Sequence, residues 1–121
     1  MTTVTEKLEE QLLSPKTDVT KKYRALFALR NMATPEAVKV LEKCLLQAEA
    51  DNSKTALESS ALLKHEVAYA LGQIGQPSSI VTLERVLGNK NAHPMVRHEV
   101  RVCVAGDFLQ ERLTRSNVPF V

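Results

Sequence analysis

The chain has no tryptophan, and only 4% of its 121 residues are aromatic. That scarcity excludes a surface that stacks rings on bases or sugars. Neither sign of charge dominates: 16 Lys and Arg against 14 Asp and Glu leave a formal charge of +2. The basic residues are scattered, so there is no electrostatic footprint for nucleic acid. No run of about 18 apolar residues is present to span a bilayer. Met1 to Glu10 is polar and acidic, unlike a secretory leader. Cys44 and Cys103 stand far apart, in no metal or redox spacing. They fit a reducing compartment, and the expected location is cytoplasmic.

What remains is ordinary for a soluble globular protein, with 44% hydrophobic and 25% charged residues. The length allows one domain with a real but modest core. Its organisation is repetitive. Val4 to Leu13 reads as a short amphipathic helix that presents Leu8, Leu12 and Leu13, and Ser14-Pro15 ends it. Thr17 or Asp18 can cap the next helix, which runs through Tyr23 to Asn31. Thr34-Pro35 then starts a partner helix carrying Val38, Val40, Leu41, Cys44 and Leu45.

A shift of 42 residues repeats this pattern: Ala28 falls on Ala70, Leu29 on Leu71, Pro35 on Pro77 and Leu41 on Leu83. The second unit is therefore expected as helix 61–74, a turn at Gly75-Gln76-Pro77, and helix 78–87, after a polar loop over 48–59. His93-Pro94 opens a third unit without a complete partner helix. The expected fold is all-α, a HEAT-type α-solenoid of about two and a half helical hairpins. Its repeats are expected over residues 1–104, with a divergent tail over 105–121.

The centre of the chain is Leu62 to Gln73, which contains the pair His65-Glu66. The same pair returns as His98-Glu99, 33 residues later. On a helical wheel Leu63, Val67, Ala70, Leu71 and Ile74 form the core stripe. His65 lies roughly 160° from that stripe and Glu66 roughly 100°, at about 100° per residue. His98 and Glu99 bear the same relation to Val100, Cys103 and Val104. Stacked repeats are expected to set His65 and His98 side by side on one surface.

Imidazole nitrogen with carboxylate oxygen suits Fe(II) or Mn(II), and Zn(II) is compatible; the lack of thiolates argues against a structural zinc site. A single exposed His-Glu pair would read as solvated helix surface. The first unit carries Tyr23-Arg24 at the matching position, so the pair is not simply part of the repeat pattern. Tyr69 and Val102 stand where a zinc-protease motif would need a second histidine, and this excludes that class. Tyr69 is expected to pack between repeats.

The segments Leu62 to Gln73 and His93 to Glu99 resemble the first two metal-binding repeats of the deoxyhypusine hydroxylase family. Arg24 to Arg30 resembles its opening repeat. The likeness runs over about residues 8 to 100. It implies hydroxylation of the deoxyhypusine residue of translation initiation factor 5A to hypusine, by a non-haem di-iron centre, O2 and a reductant. By this resemblance His65, Glu66, His98 and Glu99 are metal ligands, and no catalytic residue beyond them is indicated. A complete site of the family takes two Fe(2+) ions and four His-Glu motifs, of which this sequence carries half. One iron or none is therefore expected in this chain, with no nucleic-acid or membrane partner. The alternatives are a metal-free HEAT scaffold that binds a protein partner, an inactive truncated product, and a homodimer that restores four motifs.

Overall fold

The structure is a computed structural model that describes residues 2–105. Within them lie six helices and no strand: α1 (Val4–Leu13), α2 (Val19–Met32), α3 (Pro35–Leu46), α4 (Lys54–Ile74), α5 (Ser79–Gly88) and α6 (Pro94–Ala105). Most starts have a local cause, α5 being the exception, since Ser78 makes no side-chain cap bond. The Thr3 hydroxyl accepts from the Glu6 N–H at 3.1 Å, and the Asp18 carboxylate accepts from the Thr20 N–H at 2.8 Å. Thr34 accepts from the Ala37 N–H at 3.1 Å, with Pro35 in the first turn. These side chains satisfy backbone donors that a helix start leaves open.

The ends also follow the repeat. Ala33 and Gly75, related by the 42-residue register, both adopt left-handed backbone, with φ of 50° and 69°. Their N–H groups donate to Leu29 O and Leu71 O at 3.0 and 2.9 Å. Each reverses the chain from one helix to its partner.

Two layers result. One contains α2, α4 and α6, and the other α1, α3 and α5. Leu12, Leu26, Leu29, Leu41, Leu71, Leu83, Val67 and Val100 fill the space between and are almost wholly buried. Burial of such side chains contributes roughly 1.5–3 kcal/mol each before chain entropy is counted. In the second layer the Glu42 carboxylate accepts from Thr82 at 2.7 Å and from Ser79 at 3.3 Å, which joins α3 to α5. In the first layer Gly72 lets α6 approach α4. The Cys103 thiol fills the space there and donates to Ala68 O at 3.3 Å.

The all-α solenoid and the hairpins α2–α3 and α4–α5 agree with the expectation. The loop does not. It covers only 47–53, and α4 begins at Lys54 rather than at residue 61. Ser53 caps it by accepting from the Ala56 N–H at 3.3 Å, and Asp51 accepts from the Ser53 N–H at 2.8 Å. The first turns of α4 are solvated on most sides, so their polar residues imitate a loop. The tail over 106–121 lies outside the described residues, and α6 is described as far as Ala105. No described helix is long and apolar enough to cross a membrane.

Candidate metal centre

The two His-Glu pairs lie on α4 and α6, neighbours in the first layer. The core residues Val67 and Leu71 turn one side of α4 inward, and Val100 and Cys103 do so for α6. This leaves His65 half-buried, with its side chain 31% exposed between two carboxylates. Nδ1 stands 3.5 Å from Glu66 Oε1, and Nε2 stands 3.7 Å from Glu99 Oε2. The second approach spans the joint between repeats. Both are longer than a hydrogen bond of about 2.7–3.2 Å. Two donors that share one metal at bonds of about 2.1 Å lie on the order of 3–4 Å apart, so the His65–Glu99 gap is of that size.

The placement differs from the wheel in one respect. Glu99 is buried rather than on an open flank, because α4 covers it. His98 is exposed, as an outward-turned position requires, and the α6 residue that approaches His65 Nε2 is Glu99. Tyr69 is also corrected. It is 44% exposed, because it lies one turn after His65 on the same outward side, and so is not enclosed between repeats.

Tyr23 joins the neighbourhood from α2. Burial, and after it the negative charge of Glu66, pushes its phenol above the ordinary value. Its ring stands 6.2 Å from that of Phe27, which the Arg30 guanidinium covers at 5.1 Å. The signal for Tyr23 is its register, 42 residues before His65.

The donor set fits iron in kind, with imidazole nitrogen and carboxylate oxygen from adjacent helices. It fits only as part of a coordination sphere. Among the described residues no three His, Cys, Asp or Glu side chains are gathered in a metal-binding arrangement as they stand. The half-buried His65 and the buried Glu99 are the two candidate donors that face each other across the helices. Glu66 faces the other nitrogen of the ring at 3.5 Å.

The family model for HEAT repeats matches residues 5–105. The chain belongs to the HEAT-repeat family. Within these HEAT repeats the chain is 48% identical over 88 residues to a deoxyhypusine hydroxylase of Danio rerio. That match covers 73% of this chain and 25% of the relative. A deoxyhypusine hydroxylase of Coccidioides immitis is 37% identical over 112 residues, which covers 89% of this chain and 32% of that protein. The solved structure of human deoxyhypusine hydroxylase, in complex with glycerol, superposes with a TM-score of 0.66 at 34% identity. It covers 95% of this chain and 38% of the human one. The chain thus spans about a quarter to a third of the curated relatives it matches.

Proposed function

We propose that this HEAT chain supplies half of the metal site of a deoxyhypusine hydroxylase. The observation that carries the reading is the 3.7 Å approach of His65 Nε2 to Glu99 Oε2 across two stacked helices. His65, Glu66, His98 and Glu99 are the proposed ligands for Fe(2+), with two ions in a complete site. Bound iron supplies the activation of O2 that attack on an unactivated C–H bond requires. The reaction is hydroxylation of the deoxyhypusine residue of translation initiation factor 5A. One oxygen atom enters the C–H bond, and the other leaves as water with two electrons and two protons from a reductant.

The chain's own residues hold and orient the site. Glu66 faces Nδ1 of the His65 ring while Nε2 is turned towards Glu99. Half-burial of His65 and burial of Glu99 limit the water around them. Two buried free thiols, Cys44 and Cys103, suit the reducing cytoplasm that this reading assigns.

The exposed position of His98 favours a second reading, a HEAT scaffold that works without metal. Untagged protein loaded anaerobically with Fe(II) and desalted separates the two. Iron retained by the native chain and lost in His65→Ala and Glu99→Ala supports the half-site. Equal iron in all three proteins overturns it.

A further inference from the structure

Each His-Glu pair is preceded by a basic residue, Lys64 or Arg97, again 33 residues apart. Neither points towards the candidate metal donors. Lys64 Nζ donates to Gln47 O at 2.6 Å, at the C-cap of α3. Arg97 Nη2 donates to Leu87 O at 3.1 Å, in the last turn of α5. The two contacts are the same device used twice. A cation on a first-layer helix satisfies an open carbonyl at the end of the preceding second-layer helix, where the helix dipole also favours positive charge.

Lys64 is held from a second side by Glu49 Oε1 at 2.8 Å, which also accepts from Ser60 at 2.9 Å. Burial works to raise the Glu49 carboxyl. Hydrogen bonds from Lys64 and Ser60, with the charges of Lys64 and Lys22, outweigh it and hold the group below the usual carboxylate range. Arg97 is half-buried, and its Nε has no hydrogen-bond partner. Its guanidinium is therefore placed for the Leu87 carbonyl at the cost of one unsatisfied donor.

The anchor bears on the neighbouring residue. A helix that packs through a smooth apolar stripe can roll about its own axis. A roll of about 20° carries a side-chain tip, at ~6 Å from the axis, through roughly 2 Å. That is enough to separate His65 from Glu99, whose closest approach is 3.7 Å. A polar tie one residue from the histidine resists the roll on each helix.

We propose that Lys64 and Arg97 are positioning residues of the metal half-site, which set the rotation of α4 and α6 so that His65 meets Glu99. The metal part of this inference rests on the reading of the His-Glu pairs given above; the rotational part does not.

The test uses the whole chain as Lys64→Met, Arg97→Met, Lys64→Arg and Arg97→Lys, with Glu42→Gln as a control at the α3–α5 joint. Co(II) affinity is read by visible absorption. The nuclear Overhauser effect between the His65 ring and the Glu99 side chain is read without metal. Both methionine variants are expected to lose that effect and to bind Co(II) about 10-fold or more weakly, the range seen when groups that orient ligands are removed. The conservative variants are expected to restore both readouts, and Glu42→Gln to leave both unchanged. Methionine variants that keep the effect and bind Co(II) within about twofold of the native chain overturn the proposal, as does an equal loss in Glu42→Gln. If a methionine variant unfolds, Lys64→Gln or Arg97→Gln is read against the same limits. A native chain that does not bind Co(II) defeats the metal reading alone, and the nuclear Overhauser effect then decides the anchors.

Discussion

Gly72 on α4 and Cys103 on α6 meet so closely that a Cβ on Gly72 would lie 2.7 Å from the Cys103 sulfur. The glycine is therefore a steric requirement of the joint between the two His-Glu helices. Gly72→Ala is expected to destabilise the fold by about 1–2 kcal/mol, the overpacking cost exceeding the gain in helix propensity. Gly72→Ala with Cys103→Ala is expected to recover most of that loss, because the second change empties the contested space. Urea unfolding of the three variants measures the coupling; strictly additive effects would contradict the contact.

Ala33 and Gly75 give a second pair to compare. They close equivalent helices in the same left-handed conformation, yet only Gly75 adopts it without a Cβ penalty. Ala33→Gly is expected to stabilise the chain by about 0.5–1 kcal/mol, and Gly75→Ala to destabilise it by about 1 kcal/mol. Thermal unfolding reads both, and shifts of equal sign would refute the argument.

The thiols predict the alkaline limit of stability. Burial pushes Cys44 up to about 11, although the charges of Lys64 and Lys22 oppose it. Burial, and then the charge of Glu99, pushes Cys103 up to about 11, against a backbone hydrogen bond at Gly72. Both folded values lie above the unfolded thiol value of about 8.5. The contribution to stability is thus fully present below about pH 8.5 and is lost as pH rises towards 11. Native protein at pH 8 is expected to react with a thiol reagent far more slowly than denatured protein. The loss of stability above pH 9 is expected to shrink in Cys44→Ala compared at equal initial stability.

Much of this was legible in the chain. The stripe Leu63, Val67, Ala70 and Leu71 is buried as its spacing requires, and Thr34-Pro35 starts α3 as written. Asp18, rather than Thr17, caps α2. The misplacement of Glu99 arises because a helical wheel treats each helix alone. It left Glu99 on a flank, whereas α4 covers that flank and the stacking brings Glu99 to His65. The early start of α4 escaped because solvated helix and polar loop share a composition. Lys64 and Arg97 were visible as residues next to the motif, but the carbonyls they reach belong to other helices.

The His65–Glu99 approach crosses a single joint of a protein built by stacking. Such a protein curves by small slips between adjacent helices, and here one of those slips is also the distance between two donors. On the proposed metal reading, the local curvature of the superhelix and the grip on an ion are a single coordinate. A partner that flexes the stack at this joint would change affinity without touching either side chain.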